Sequence, residues 1–243
     1  MEIGKFIQSQ PREPSWSLKG LVPGEGFSIL LGPPKGGKSV FALQLAHAVA
    51  TGTPFLKFPA SEPKRVIYIE ADASEVDLWE QAKERSLIFL PDTFHVYMPV
   101  QRRPLSKPVE EWTDARGVRF ADLLEEYPPD LLIWASTIML DTSDINTQEG
   151  TRVMLQHLYR VHRGPHILLH HPNKATPEWL KVPIWELWRS GIGYTGFVAE
   201  AAVLMVLQPG IEPGARLVVQ GRNIRSKDQL IPLIWEPRAD GAR

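Results

Sequence analysis

Hydrophobic residues in the chain form short continuous runs that alternate with longer stretches of helical spacing. The short runs predict buried strands, and they cover residues 26–32, 65–72, 94–98, 130–136, 166–171, 199–208, 215–223 and 230–237. The helical spacing predicts helices over residues 38–52, 74–89, 114–127 and 147–163. This alternation predicts an α/β fold with a mostly parallel twisted sheet flanked by helices. The closing strands lack intervening helices and therefore predict an antiparallel C-terminal edge.

Local signals mark where several of these elements begin and end. Ser74 is suited to cap the start of the second helix, Gly52 to end the first, and Pro128 to stop the third. Residues 1–24 are polar and rich in proline and glycine, which is typical of an arm or lead-in. We therefore expect an N-terminal arm over residues 1–20 and one domain over residues 21–243.

Composition excludes several kinds of protein. The chain has 243 residues, 43% of them hydrophobic, which is enough for one large core. It contains no cysteine, which excludes disulfides, zinc fingers and a catalytic thiol. The net charge of −1 gives no overall attraction to nucleic acid, so any basic surface must be local. No membrane span or signal peptide is evident, and we expect a cytoplasmic protein.

A glycine-rich segment lies between the first long strand and its helix. Residues 32–39, Gly-Pro-Pro-Lys-Gly-Gly-Lys-Ser, match the phosphate-binding pattern G-x-x-x-x-G-K-[ST] at every fixed position. Backbone N–H groups and the start of the helix would hold phosphates. Lys38 would reach the β- and γ-phosphates, and the Ser39 hydroxyl would bind Mg²⁺. The pattern predicts an ATP and Mg²⁺ site formed by Gly32, Pro33, Pro34, Lys35, Gly36, Gly37, Lys38, Ser39 and Val40.

Four stretches together resemble the RecA-like P-loop ATPases. They are residues 20–56, 65–74, 129–137 and 167–174, and their order and spacing are similar to those of RepA-type hexameric replicative helicases, relatives of the DnaB-type helicases. The resemblance covers residues 16 to 236. It implies a RecA-like fold, ATP hydrolysis, assembly of identical subunits into a hexameric ring and action on single-stranded DNA.

The same resemblance suggests where the acidic catalytic groups should lie. In the family a carboxylate at the end of the second long strand activates the attacking water, and this position aligns with Asp72, although the family usually has glutamate there. Glu70, two residues earlier, is the other candidate.

The next strand departs from the family at its end. The family has an aspartate there that orients Mg²⁺ through water, whereas this chain has Ala135. Asp130 lies five residues back, about 17 Å along a strand, and cannot take its place. Ser136, Asp141 and Asp144 are other polar groups nearby.

Two further residues match family positions that respond to the γ-phosphate. Alternation along the strand sends His170 and His171 to opposite faces, and the register favours His171 as the contact. Residues 218–228 resemble the segment that carries an arginine finger, which acts on the neighbouring subunit's nucleotide. Arg222 matches that arginine, and Arg225 is the second candidate.

The loop over residues 174–193 is the candidate DNA contact. It holds Lys174, Lys181 and Arg189 among three tryptophans, a mixture that suits phosphate contact and base stacking. The sequence therefore favours a ring-forming helicase. A RecA-like recombination or annealing accessory protein and a weakly hydrolysing ATP-binding switch remain alternatives, and Ala135 is the best argument for the switch.

Overall fold

The computed structural model describes residues 15–32, 35–88, 92–100, 104, 107–135, 147–170, 201–209, 214–221 and 229–234. Ten strands lie within these residues. They are β1 (Trp16–Leu18), β2 (Val22–Pro23), β3 (Phe27–Leu31), β4 (Val66–Ile69), β5 (Phe94–Tyr97), β6 (Leu131–Trp134), β7 (His166–His170), β8 (Ala201–Pro209), β9 (Gly214–Gly221) and β10 (Gln229–Ile234). Strands β1 and β2 form a separate antiparallel pair.

The other eight strands form one sheet in the order β10-β9-β8-β3-β7-β6-β4-β5. From β8 to β5 every neighbouring pair is parallel. Strand β9 is antiparallel to both β8 and β10. The predicted α/β class, the mostly parallel sheet and the antiparallel C-terminal edge are thereby confirmed, and the arrangement is RecA-like.

Four α-helices flank the sheet within the described residues. They are α1 (Lys38–Thr51), α2 (Glu75–Glu84), α3 (Phe120–Glu126) and α4 (Gln148–Val161), and a short 3-10 helix spans Val109–Glu111. Helix α1 ends where Gly52 takes a left-handed conformation. Helix α2 begins with a capping box, in which Ser74 and Asp77 each accept a hydrogen bond from the other's backbone. Among the described residues, no helix is long and apolar enough to cross a lipid bilayer.

One predicted helix is shorter than the sequence indicates. The pattern predicts a helix over residues 114–127, but α3 starts only at Phe120. The Asp114 carboxylate accepts hydrogen bonds from the backbone N–H groups of Arg116 and Val118, and Gly117 has a φ of 81°. The preceding residues therefore form a turn held by a side chain instead of the first helical turns.

The sheet separates two hydrophobic clusters. Helices α1 and α2 pack on one face, where Leu78 is the buried residue that α2 contributes. Helices α3 and α4 pack on the other face, where α4 contributes Met154, Leu155 and Leu158. The parallel strands are buried on both sides, which explains why they are continuous hydrophobic runs in the sequence.

Candidate nucleotide site at the carboxyl edge of the sheet

The phosphate-binding turn leaves the carboxyl end of β3, a central strand of the sheet. Gly32 is the first residue after this strand, and it is buried. A Cβ at Gly32 would lie 3.1 Å from Lys38 Cγ and 3.3 Å from Leu207 Cβ. A side chain at this position would therefore be in tight contact with the turn's own lysine and with strand β8, and one of them would have to shift to admit it.

The end of the turn takes the backbone conformation that a phosphate site requires. Lys35 and Gly37 have positive φ values of 58° and 80°, and Gly37 is the N-cap of α1. Helix α1 then starts at Lys38, so its free N–H groups and the positive end of its dipole face the turn. Pro33 and Pro34 lie outside the described residues.

Lys38 is a buried cation. Its side chain is 5% exposed, and Nζ donates a 2.8 Å hydrogen bond to the carbonyl oxygen of Gly32. Burial lowers the pKa of this amine from its ordinary value to about 8. A desolvated amine gains strongly from an anionic partner. The turn, the helix start and Lys38 thus fit the phosphates of a nucleotide, and the partly exposed Ser39 hydroxyl at the second position of α1 fits the Mg²⁺ that accompanies them.

Glu70 lies at the same edge, directly after β4. It is 3% exposed, and its Oε1 accepts hydrogen bonds from the N–H groups of Asp72 and Ala73 at 2.9 and 3.0 Å. Burial raises the pKa of Glu70, and the Asp72 carboxylate adds to this rise, while the N–H donors oppose it. A buried carboxyl with a raised pKa at a strand end is the kind of group that accepts a proton from water.

Asp72 occupies a different environment. It is exposed, and it lies three residues beyond the end of β4 because the strand stops at Ile69. Its backbone N–H donates to Glu70, so the two candidate carboxylates share one turn but differ in burial. The sequence register alone does not reveal this difference, because it does not fix where β4 ends.

Ala135 follows β6 at the same level. Strands β4 and β6 pair Ile69 with Trp134, so Ala135 stands beside Glu70, and its N–H donates to Ile69 O at 2.9 Å. Asp130 lies at the opposite end of β6, where its carboxylate accepts a hydrogen bond from Arg65 N at 2.9 Å. Asp130 is therefore far from this edge. Ser136, Asp141 and Asp144 lie outside the described residues.

His170 ends strand β7, next to the strand that carries the phosphate turn. It pairs with Leu31 in the register of β3 and is 4% exposed. The predicted contact His171, the arginine-finger candidates Arg222 and Arg225, and the DNA-loop residues Lys174, Lys181 and Arg189 all lie outside the described residues. Across the part of the chain that the structure describes, no group of three or more acidic, histidine or cysteine side chains could hold a metal ion by itself.

The profile of the AAA_25 family, described as an AAA domain, matches residues 2–177. The chain belongs to the AAA_25 family. Membership implies nucleotide binding, typically with Mg²⁺, and together with the fold it supports an ATPase. No curated protein matches the sequence.

This AAA_25 chain is also similar to a solved structure, the flagellar accessory protein FlaH from Methanocaldococcus jannaschii. The TM-score is 0.57 at 14% sequence identity, over 92% of this chain and 96% of that chain. At this identity the likeness shows the fold alone. The predicted RecA-like fold is thereby confirmed, and the family match and the fold together support the predicted ATPase, whereas the relation to RepA-type helicases stays a prediction.

Proposed function

We propose that the protein is a ring-forming motor of the RepA helicase type, which hydrolyses ATP and acts on single-stranded DNA. The observation that carries the ATPase part is the row of groups at the carboxyl edge. Lys38 follows β3, and Glu70 follows β4, three strands away, which at about 4.8 Å per strand is roughly 14 Å. A nucleoside triphosphate that extends from the phosphate-binding turn along the carboxyl edge of the sheet would lie between the buried amine of Lys38 and the buried carboxyl group of Glu70.

In this proposal Glu70 accepts the proton of the attacking water, and Asp72 does not. Glu70 is the buried member of the pair and has the raised pKa, whereas Asp72 is exposed. Lys38 neutralises phosphate charge, and the α1 N-terminus positions the phosphates. When bound, Mg²⁺ would neutralise further charge on the phosphates, with Ser39 as its ligand from this chain.

The DNA and ring parts rest on sequence features. The loop with Lys174, Lys181 and Arg189 supplies cations among tryptophans, and Arg222 is the proposed finger that acts on a neighbouring subunit. An arginine finger can contribute about 10³–10⁵ in rate. A monomer would then be a poor ATPase.

Ala135 favours a second candidate function, an ATP-binding switch that hydrolyses slowly. It is 8% exposed and carries no charge. It lies at the position where the RecA-like ATPases that the sequence resembles have an aspartate that orients the metal. Without that carboxylate the metal is less firmly oriented, so a slow hydrolytic step follows. The ATP-bound form of the protein would then persist for longer than one cycle of a motor.

Steady-state ATP hydrolysis and strand displacement separate these functions. For the motor we expect the rate of ATP hydrolysis to rise when single-stranded DNA is added. We also expect ATP-dependent displacement of one strand from a forked duplex. Stimulation without displacement would assign the accessory role, and tight ATP binding without turnover would assign the switch. Lys38→Ala serves as the control without a phosphate-binding amine. Equal ATP affinity in this variant and the wild type would refute the nucleotide site itself.

A matched pair of variants tests the assignment of the base. Glu70→Gln should lower turnover by about 10²–10⁴-fold while ATP affinity changes little, because the amide cannot accept the proton. Asp72→Asn is the control, since it removes a carboxylate from the same turn but leaves Glu70 in place. A larger loss in Asp72→Asn than in Glu70→Gln would reverse the assignment.

A further inference from the structure

Helix α2 exposes an apolar stripe. Val76, Trp79, Glu80 and Lys83 follow the spacing i, i+3, i+4, i+7 and so share one side of the helix. Val76 and Trp79 are 63% and 59% exposed, and Lys83 Nζ lies 4.6 Å from the centre of the Trp79 ring. Burial of α2 against the sheet uses Leu78 instead. Val76 and Trp79 together form a small apolar patch on the exposed side of the helix.

The surroundings of this stripe are acidic. Residues 75–85 contain four acidic side chains, all exposed, against two basic ones. Asp77 belongs to the cap of the helix, and Glu84 pairs with Arg85 at 3.2 Å. Glu75 and Glu80 make no ion pair with any residue that the structure describes. The α2 stripe therefore has an apolar centre, Val76 and Trp79, in a segment whose four acidic and two basic side chains give a net charge of −2.

Helix α4 carries a stripe of opposite charge. Gln156, Tyr159 and Arg160 repeat the first three positions of this spacing at the end of the helix, and Arg163 follows two residues after its last residue, Val161. Tyr159 is 42% exposed, although its ring also packs edge-on against Phe27 with centroids 4.4 Å apart. The sequence from 156 to 163 contains no acidic residue.

The arginines of this α4 stripe are available for a partner. Arg160 and Arg163 are exposed and form no ion pair within the described part of the chain. Arg152, one turn earlier on the same side, is instead paired with Glu149 at 2.6 Å. The stripe thus offers an aromatic ring flanked by two uncompensated cations.

The two stripes lie on opposite sides of the molecule. Leu78 of α2 belongs to the core cluster on one face of the sheet, and Leu158 of α4 belongs to the cluster on the other. One chain therefore cannot bring its own stripes together. A second copy can, and the resulting contact would be heterologous, joining different surfaces of the two copies.

We propose that the α2 stripe of one copy docks on the α4 stripe of the next, with Trp79 against Tyr159 and Glu80 facing Arg160 and Arg163. This inference rests on the proposed self-assembly and names its contact surfaces. Aromatic and arginine side chains are the residues that most often dominate binding energy at interfaces. Opposite charges also favour the head-to-tail orientation, because two α2 segments, each with the net charge of −2 over residues 75–85, would repel, as would two α4 stripes.

The basic α4 stripe alone would also suit a nucleic-acid backbone. The complementary α2 stripe favours the second copy, because it offers an exposed aromatic side chain in an acidic segment. A stable interface buries about 800 Å² on each partner. Two short helix faces supply only part of that area, so they form the charged, aromatic portion of a larger contact.

Two interface variants and one control test this inference by sedimentation velocity with ATP and Mg²⁺. The α2 variant carries Trp79→Ser and Glu80→Arg. The α4 variant carries Arg160→Glu and Arg163→Glu. The control carries Leu56→Ser and Lys57→Glu, which change an exposed leucine and an exposed lysine elsewhere. We expect self-association to weaken about tenfold or more in each interface variant and to stay at the wild-type level in the control.

Mixing the two interface variants gives the sharper result. Each retains one sound stripe, so α4-variant and α2-variant copies should associate with each other although neither variant associates with itself. A contact between identical surfaces would give no recovery. Glu80→Arg and Arg160→Glu should each weaken association when made alone and restore it when combined in one chain, which excludes misfolding as the cause of the loss.

The remaining outcomes of these experiments would overturn either the docking inference alone or the proposed self-assembly as well. Unchanged assembly in both interface variants would overturn this inference and leave the proposed function standing. A wild-type protein that turns over ATP as a monomer would overturn self-assembly together with this inference. Loss of single-stranded DNA binding in the α4 variant, with assembly unchanged, would assign that stripe to nucleic acid and overturn the docking proposal.

Discussion

Ala135 is the residue at which this chain departs most from the RecA-like ATPases that it resembles. The backbone around it is regular, since its N–H continues the pairing between β4 and β6. The departure therefore concerns only the side chain, which is a methyl group beside Glu70 where a second carboxylate would be expected. Glu70 is consequently the one carboxylate that directly follows a strand at this edge among the described residues.

Restoring the carboxylate gives a prediction at this scale. Ala135→Asp should raise ATP turnover about tenfold, because the added carboxylate would orient the metal through its hydration shell. The measurement is steady-state hydrolysis at saturating ATP and Mg²⁺. Ala135→Asn is the matched control, since it has nearly the same shape without the charge and should not raise turnover. Equal behaviour of the two variants would mean that another group already holds the metal.

Individual residues also show what the sequence could and could not predict at this site. Gly32, Lys38 and Ser39 could be identified because their spacing is fixed by the phosphate turn itself. The choice between Glu70 and Asp72 could not be made, because it depends on the residue at which β4 ends and on which carboxylate the neighbouring strands bury. Those are properties of the folded sheet, and the local pattern does not encode them.

Elements of secondary structure were predictable where the local signal and the tertiary environment agree. The central strands are continuous apolar runs because both faces of the sheet are covered. The start of α3 was misplaced, because the Asp114 side chain satisfies the backbone N–H groups that a helix would otherwise use. In α2 the helical spacing of Val76, Trp79, Ala82 and Lys83 predicts a helix, yet Leu78 is the residue that packs into the core.

A buried histidine joins three elements on the α4 side of the sheet. Trp134 Nε1 in β6 donates to His166 Nδ1 at 3.0 Å, so this nitrogen carries no hydrogen. His166 Nε2 therefore bears the hydrogen and donates to His162 O at 2.8 Å, just after α4. Burial lowers the pKa of His166 to about 3, although the hydrogen bond to His162 opposes the shift.

This arrangement predicts a pH dependence of stability. The unfolded chain binds a proton at His166 below its ordinary pKa of about 6.5, whereas the folded protein resists protonation down to about 3. The contribution of neutral His166 is therefore complete above pH 6.5 and declines as the pH falls from 6.5 towards 3, by about 1.4 kcal/mol per unit. Urea unfolding of the wild type and of His166→Gln, measured across this range, isolates the effect.

The variant supplies its own control, because every other titrating group is retained. Its free energy of unfolding should be lower than that of the wild type at pH 7, and the difference should shrink as the pH falls. Two parallel curves would contradict a neutral, proton-resisting His166.

At the scale of the whole molecule, shared active sites give a mixing prediction. Lys38→Ala removes the phosphate-binding amine and keeps the proposed finger, whereas Arg222→Ala removes the finger and keeps the amine. Each variant alone should be nearly inactive. Mixed assemblies should recover part of the ATP turnover, because some interfaces then pair a sound nucleotide site with a sound arginine. Recovery should rise with protein concentration, since it requires association.

The control for mixing is each variant added to itself at the same total concentration. If co-assembly is demonstrated and turnover still does not recover, Arg222 does not act across the interface, and Arg225 is the next arginine to exchange. The mixing of interface variants described above reports association alone, whereas this one reports catalysis across an interface that association has to form first.

The burial of Lys38 has a consequence for how the protein takes up nucleotide. Because the pKa of Lys38 is about 8, a measurable fraction of the molecules carries a neutral amine in mildly alkaline solution. Phosphate oxygens beside this amine would favour its charged form and raise its pKa again. Nucleotide binding would then draw a proton from the solvent, and affinity for ATP would decline as the pH rises through about 8. At a fixed ATP concentration, the fraction of sites that hold nucleotide would thus depend on the pH.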